Sequence, residues 1–215
     1  MSKRFSDRVD KRLQDLHDQQ RLRIAQVVQM LPDGRCQIDG RSLVNFGGND
    51  YLGLAHEVGK IFCDEAVPQL GATASALVAG RSILHRKLEE ALAAFEATEA
   101  ALLFPTGYAA NVGVLSSLVE GDDAVWCDRD NHASIIDAAR ASAGKMLVYR
   151  RDRLAELAQS LSKRRSEYDN VFLVTDGVFS MDGTVAPLAE LCNLAEEYDA
   201  SVIVDEAHGT GVLGQ

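Results

Sequence analysis

Short apolar runs alternate with helical patterns through most of the chain, and this alternation constrains the fold more than any other feature. The runs that predict strands are Ala101–Phe104, Ala124–Cys127, Met146–Tyr149, Val171–Thr175 and Val202–Val204. Each run is uniformly apolar instead of alternating with polar residues, as is typical of strands that are buried on both faces. The sequence therefore predicts an α/β fold with a mainly parallel sheet flanked by helices.

The predicted helices lie before and between these runs, and the apolar residues of 84–97 recur at helical spacing. These helices cover residues 57–68, 84–97, 108–118, 133–142, 152–164 and 187–198. The first 44 residues differ: a charged helical pattern is followed by Pro32-Asp33-Gly34, which is a turn signal between short extended pieces. We therefore predict an N-terminal helical arm with a small hairpin over residues 1–44, and a large domain over residues 45–215.

Composition narrows the classes of function. The net charge of −10 argues against nucleic acid or an anionic membrane surface as the main partner. No apolar run has the length of a bilayer span, and the N-terminus lacks the apolar core of a signal peptide, so we expect a cytoplasmic protein. The cysteines and histidines do not have the spacing of zinc ligands, so the sequence predicts no metal site.

The stretch Val202–Gly211 carries Asp205 and His208 to a glycine-rich turn at the end of an apolar run. Open α/β sheets bind ligands at this carboxyl edge. Two functions fit an acid here: a metal-holding residue of a P-loop ATPase, or a clamp for pyridoxal phosphate (PLP). The first needs Gly-x-x-x-x-Gly-Lys-[Ser/Thr]. The pair Gly144-Lys145 lacks both the earlier glycine and the following hydroxyl, so the sequence disfavours an ATPase.

Polar residues at other predicted strand ends suit an aromatic phosphate-bearing cofactor. Gly107 and Tyr108 lie at the start of a predicted helix, and their backbone N–H groups could bind phosphate. A purely structural turn is the alternative. His132 could stack on the ring, or it could be a surface residue near a helix N-cap. Ser180 could hydrogen-bond a ring substituent, whereas a simple turn at Asp182–Gly183 is the alternative.

Asp205 is the strongest of these candidates. A buried carboxylate is costly unless it is paired, and a protonated pyridine nitrogen is a suitable partner. The alternative is an ion pair with a neighbouring arginine. His208 lies three residues further on and could reach the phenolic oxygen of the ring.

In combination, these residues resemble the α-oxoamine synthase family of fold-type-I PLP enzymes over residues 40–215. The matching stretches are Asn45-Phe46, Asn49–Leu54, His85 with Leu88-Glu89, Ala101–Phe104, Gly107–Asn111, His132–Ser134, Gly177–Gly183 and Val204–Gly214. The resemblance implies that PLP is the cofactor and that residues 45–215 are its large domain. It also implies a role for each candidate in cofactor binding. His132 would stack on the ring and Asp205 would pair with its nitrogen. Ser180 and His208 would touch the oxygen side of the ring, and Gly107 and Tyr108 would lie by the phosphate.

The resemblance also implies the substrates. Asn49 would lie near the amino-acid carboxylate, and either Arg21 or Arg23 would face the acyl group; spacing does not decide between them. An amino acid would condense with an acyl-thioester, with loss of carbon dioxide and coenzyme A. The branch that the chain is most similar to joins L-alanine to a pimeloyl-thioester in biotin synthesis, whereas relatives use glycine or serine. Complete members are homodimers.

Two departures from the family pattern bear on the substrate. The loop Gly71–Leu77 has fewer glycines than the family and lacks an arginine near its end. Arg150-Arg151-Asp152 stands where the family often has His-Asn-Asp. Thr175–Gly177 is similar to the glycine C-acetyltransferase branch, so an enzyme of that kind is an alternative.

The last expectation concerns the lysine that forms a Schiff base with the cofactor. The resemblance places it beyond the Asp-x-x-His strand, and none of Lys3, Lys11, Lys60, Lys87, Lys145 and Lys163 has that position. We therefore expect a C-terminally truncated, incomplete large domain that is inactive alone. The alternative is a non-catalytic partner subunit that retains the fold.

Overall fold

The computed structural model describes residues 3–22, 28–31, 34–54 and 74–213. The chain forms two compact units, Met1–Glu65 and Ala66–Gln215, and each is described by itself. The domain boundary after residue 44 stays a prediction. The helix predicted over 57–68 and residues 71–73 of the loop Gly71–Leu77 lie outside the described residues.

The first unit contains a helix and a small antiparallel sheet. Helix α1 is Lys3–Asp18, and the strands are β1 Gln29–Met30, β2 Arg35–Ile38 and β3 Arg41–Val44. The prediction of one hairpin is incomplete, because a second tight turn at Asp39–Gly40 joins β2 to β3. Both turn residues have positive φ, 49° and 75°, which a type I′ hairpin turn requires and an Asp-Gly pair supplies.

The second unit alternates helices and strands, as the sequence predicts. Its helices are α2 Ile83–Phe95, α3 Gly107–Leu118, α4 Ala133–Ala141, α5 Leu154–Arg164 and α6 Leu188–Glu197. Its strands are β4 Ala124–Asp128, β5 Lys145–Tyr149, β6 Val171–Asp176 and β7 Ser201–Asp205. A π-helical turn at Ala76–Gly80 and a 3₁₀ turn at Arg165–Glu167 complete the described elements. None of the described helices is both long and apolar enough to cross a membrane.

The four strands form a parallel sheet in the order β5-β4-β6-β7. Side chains alternate between the two faces of a strand, so neighbouring residues pack on different helices. Val125 and Cys127 belong to a buried cluster with residues of α3 and α4. Trp126 belongs to a second cluster with residues of α5 and α6. The predicted α/β class, with helices on both faces of a parallel sheet, is confirmed.

The strand predicted over Ala101–Phe104 is wrong. Within the described residues no strand pairs with this segment, although its apolar character suits a sheet. Its Leu103 N–H donates instead to Oε1 of Glu89, a buried side chain of α2, at 3.2 Å. Glu89 also hydrogen-bonds Arg81. A run of apolar residues becomes a strand only where a neighbouring backbone completes the ladder.

Strand order places a crevice at one point of the sheet. The chain leaves β4 for β5 on one side and later returns to β6 on the other side of β4. Ligands of open α/β sheets bind at such a reversal, outside the carboxyl ends of the strands. The loops that follow β4, β6 and β7 therefore form the place to look for a functional site.

Candidate functional site

A pocket of about 110 Å³ lies at the carboxyl ends of the parallel strands, beside the start of α3. It is lined by Gly107, Tyr108, His132, Ser134, Asp176, Ser180, Asp205, Ala207 and His208. All six residues that the sequence predicts for the cofactor are among them. The structure thus brings these candidates together, and their roles remain predictions.

Asp205 ends β7 with a half-buried carboxylate. Its Oδ2 accepts a 2.7 Å hydrogen bond from Asn111 Nδ2, and its Oδ1 accepts one of 3.0 Å from the Ala207 N–H. Both donors are neutral, and no ion pair to Asp205 is formed by the part of the chain that the structure describes. The arginine partner considered from the sequence is therefore not found among these residues. Among the described residues, no lysine or arginine forms an ion pair that would balance an ionised Asp205.

His132 is the N-cap of α4, so the local structure considered as its alternative role is present. Its backbone N–H donates to Asp176 Oδ2 at 2.8 Å. Its Nδ1 accepts from the Ser134 N–H at 3.3 Å and lies 2.7 Å from Ser134 Oγ. Because a backbone N–H can only donate, Nδ1 is the acceptor and the ring proton of the neutral form lies on Nε2. The cap fixes the imidazole in the lining of the pocket.

Asn111 connects the histidine side of the pocket to the acid. Its Nδ2 donates to Ser134 Oγ at 2.8 Å as well as to Asp205. Sequence reasoning missed the roles of Asn111 and Ser134. The signal for Asn111 is its helical spacing, since it lies four residues after Gly107 and therefore on the same face of α3.

Asp176 is a second acid in the pocket that sequence reasoning missed. It ends β6 in register with Asp205 on β7. Its N–H donates to Oδ1 of the buried Asn131 at 3.1 Å, while Asn131 Nδ2 donates to the Val174 carbonyl at 2.8 Å. Burial raises the pKa of Asp176; the hydrogen bond from the His132 N–H opposes this, and the charge of Asp205 adds to it. The sequence feature that could have identified Asp176 is its position, because it is a polar residue at the end of a buried strand.

The start of α3 suits an anion. Thr106 caps the helix, and its Oγ1 accepts from the Ala109 N–H at 3.1 Å. Position 107 is open, since no atom lies within 4 Å of where a Cβ would stand. Tyr108 OH donates to Asp137 Oδ2 at 3.2 Å, which raises the pKa of the tyrosine. The N–H groups of the first turn and the helix dipole favour negative charge here.

Ser180 lies in the loop over residues 177–185, which we call the Ser180 loop. An antiparallel bridge between Val178 and Val185 closes this loop, and the Phe179 N–H donates to the Thr184 carbonyl at 2.9 Å. Gly183 has a φ of 68°, so the turn considered from the sequence is present. The Ser180 side chain is exposed and lines the pocket.

The substrate candidates lie in the first unit or outside the described residues. Arg21 is exposed after α1, and Asn49 accepts a 3.4 Å hydrogen bond from Tyr51 OH. Arg23 is outside the described residues. Their contacts with a substrate stay predictions. Among the described residues, no group of three or more histidine, cysteine or acidic side chains could hold a metal ion.

A family model for aminotransferase class I and II matches residues 41–215. The chain belongs to this aminotransferase family. Over 180 residues it is 48% identical to 8-amino-7-oxononanoate synthase 2 of Bacillus subtilis (strain 168). This alignment covers 82% of this chain and 46% of that protein. The chain therefore spans about half the length of the curated relatives it matches.

Solved structures of serine palmitoyltransferases share the fold. That of Sphingomonas wittichii has a TM-score of 0.82 and 31% sequence identity, covering 99% of this chain and 54% of that one. Another, from S. paucimobilis and solved with bound PLP and myriocin, has a TM-score of 0.82 and 30% identity, covering 97% of this chain and 53% of that one. Together with the synthase relatives, they confirm the resemblance on which the sequence interpretation rests.

Proposed function

We propose that the protein is a PLP-dependent α-oxoamine synthase and that the pocket at the carboxyl edge of the sheet binds PLP. The observation that carries this is the Asp205 carboxylate, which is half-buried and accepts hydrogen bonds from the neutral donors Asn111 and Ala207. A cationic pyridine ring would balance its charge. The structural neighbour with bound PLP supports the same ligand class.

The residues of the pocket suit the parts of PLP. Asp205 would keep a proton on the pyridine nitrogen, and Asn111 would keep the carboxylate in place. His132 would cover one face of the ring, since its backbone is fixed by Asp176 and its Nδ1 by Ser134. Ser180 and His208 would form hydrogen bonds with the phenolic oxygen of the ring. When bound, PLP supplies an electron-withdrawing ring that stabilises negative charge at the α-carbon of an amino acid.

The first turn of α3 would bind the phosphate. The open position at Gly107 lets the backbone approach the group closely, and its N–H and that of Tyr108 are placed to donate to it. This binding would fix one end of the cofactor while Asp205 fixes the other.

For the substrates, we propose L-alanine and pimeloyl-CoA, joined to give 8-amino-7-oxononanoate with release of carbon dioxide and coenzyme A. The support is the 48% identity to a synthase of that name, against 30–31% to the serine palmitoyltransferases. Asn49 would bind the amino-acid carboxylate, and Arg21 or Arg23 would bind the acyl chain. We also propose that the protein is a homodimer in the cytoplasm.

PLP titration of the protein expressed from its complete gene tests the cofactor site. We expect saturable binding by the wild type and binding at least about tenfold weaker in Asp205→Asn, because the charge partner of the pyridine nitrogen is lost. Asp199→Asn is the matched control, since Asp199 precedes the opposite end of β7 and pairs with Arg165. Equal affinities in Asp205→Asn and the wild type would refute the role of Asp205.

Turnover with pimeloyl-CoA tests the substrates. Coenzyme A release should be fastest with alanine and slower with glycine and serine. A preference for serine or glycine would instead assign the protein to another branch of the α-oxoamine synthases. Saturable PLP binding without turnover on any of these amino acids would favour the non-catalytic partner subunit.

A further inference from the structure

Arg151 follows β5 and joins two loops at the carboxyl edge of the sheet. Its Nη1 lies 3.2 Å from Asp128 Oδ1 and 2.9 Å from Asp130 Oδ2, both after or at the end of β4. Its Nη2 lies 3.3 Å from Asp182 Oδ2 in the Ser180 loop. The arginine side chain is only 13% exposed, so its position is tightly defined.

The same guanidinium also packs on an aromatic ring. Its central carbon Cζ lies 3.7 Å from the centroid of the Phe179 ring, and Phe179 is 3% exposed. A cation over an aromatic face is most favourable where both groups are shielded from water. Arg151, Asp128, Asp130, Phe179 and Asp182 form what we call the Arg151 cluster.

The sheet side of the Arg151 cluster is the fixed side. Asp128 is fully buried, and its Oδ2 accepts from the Arg151 N–H at 2.9 Å. Burial raises the pKa of Asp128, whereas its hydrogen bonds and the charge of Arg151 act in the opposite direction. Removing a buried carboxylate's partner is strongly unfavourable, so Asp128 keeps the guanidinium in place.

The loop side of the cluster is more exposed. Asp182 is about half exposed, and Met181 beside it is 95% exposed. Ser180 stands between the two residues that contact Arg151, directly after Phe179 and two positions before Asp182. The stacking contact and the ion pair therefore hold the chain on both sides of Ser180.

We propose that Arg151 is a positioning residue that holds the Ser180 loop and thereby sets the Ser180 hydroxyl in the pocket. The proposal rests on the proposed function, because it assigns Ser180 to the cofactor. Arg151 itself does not line the pocket. Its effect on PLP is exerted through the loop, which distinguishes it from the residues that would touch the cofactor.

Asp182→Asn tests the loop side without disturbing the buried acid. The asparagine keeps the Oδ1 that accepts from the Thr184 N–H at 2.9 Å and loses the charge that pairs with Arg151. Asp152→Asn is the matched control, because Asp152 is similarly exposed and pairs with Arg150 at 2.7 Å outside the loop. Amide hydrogen exchange of Phe179 and Gly183 measures the order of the loop without any cofactor.

We expect exchange at these two amides to rise about twofold to fivefold in Asp182→Asn and to stay unchanged in Asp152→Asn. PLP affinity should fall by a similar factor in Asp182→Asn alone. Arg151→Lys should behave like Asp182→Asn, because an ammonium cannot reproduce the planar contacts of a guanidinium. These results would support the assignment.

Unchanged exchange in Asp182→Asn would overturn the proposal. So would faster exchange with unchanged PLP affinity, since Arg151 would then stabilise the loop without positioning Ser180 for the cofactor. If the wild type binds no PLP, the proposed function fails, and the positioning of Ser180 for PLP fails with it. The exchange data then still show whether Arg151 orders the loop, so the two failures are distinguishable.

Discussion

Asn111 donates a 2.7 Å hydrogen bond to Asp205, although 94 positions separate the two residues in the chain. The same amide nitrogen lies 2.8 Å from Ser134 Oγ, which in turn lies 2.7 Å from His132 Nδ1. One side chain on α3 thus connects the end of β7 to the N-cap of α4. The acid and the imidazole of the pocket are thus connected through Asn111 and Ser134.

Asn111→Ala should therefore weaken PLP binding through Asp205. Losing one of the two donors to a half-buried carboxylate is expected to lower PLP affinity about tenfold to a hundredfold, at the strength of a hydrogen bond to a charged group. Equilibrium dialysis against PLP measures this. Asn193→Ala, an exposed change on α6, is the control. Indistinguishable affinities in the two variants would show that Asn111 is not needed to hold Asp205.

Asp176 should act through its contact with His132. Asp176→Ala removes the acceptor of the His132 N–H, so we expect faster amide exchange at His132 and weaker PLP binding. Asp176→Asn keeps an acceptor oxygen and should restore most of both. The contrast between the two variants is the readout, and an asparagine variant as impaired as the alanine variant would contradict this role.

The pKa of Asp176 also predicts how stability depends on pH. Its folded-state pKa is raised, so its contribution is complete below the unfolded pKa of about 3.9 and is lost as pH rises through the folded value. Asp176→Asn does not ionise. Urea unfolding should therefore show the wild type losing stability relative to Asp176→Asn as pH rises above about 4.

Asp123 should contribute to stability with the opposite dependence on pH. It is 1% exposed and accepts from the N–H groups of Glu120 at 2.8 Å and Asn170 at 2.9 Å, and from the Asn170 side chain at 2.9 Å. Burial alone would raise its pKa, but these hydrogen bonds outweigh it and lower the pKa. Asp123→Ala should cost about 2–4 kcal/mol of unfolding free energy, since buried donors lose their acceptor.

The lowered pKa of Asp123 sets the pH range of that effect. Its contribution is complete above the unfolded pKa of about 3.9 and is lost as pH falls through the lower folded value. The difference in unfolding free energy between the wild type and Asp123→Asn should thus shrink below about pH 4. Asp122→Asn, a neighbouring exposed change, should show no such trend. A difference that stays constant down to the lowest pH at which the protein folds would contradict this.

Cys127 should resist alkylation in the folded protein. Burial, with a smaller effect of Asp128, raises the pKa of its thiol to about 12, whereas Cys192 is exposed. The thiolate is the reacting form, so Cys127 should react at least about a thousandfold more slowly than a free thiol. Peptide mass spectrometry after iodoacetamide treatment should find label on Cys192 first and on Cys127 only after unfolding. Early labelling of Cys127 would contradict its burial.

Particular residues show which features of the site could be predicted from the sequence and which could not. The positions of Asp205, His132 and Ser180 at strand ends follow from local pattern, because carboxyl ends of parallel strands meet at one edge. Asp176 obeyed the same rule and was missed. The segment Ala101–Phe104 has the pattern of a strand, but a strand needs a partner, and here Glu89 takes the N–H of Leu103.

The sequence by itself determined the α/β class, most helices and strands of the second unit, and six of the nine residues that line the pocket. These depend on short-range periodicity and on polar residues that interrupt apolar runs. Only the tertiary structure decided that Asn111 holds Asp205 and that Arg151 contacts the Ser180 loop. Such contacts depend on the order β5-β4-β6-β7 and on which helix covers each face, which no local spacing contains.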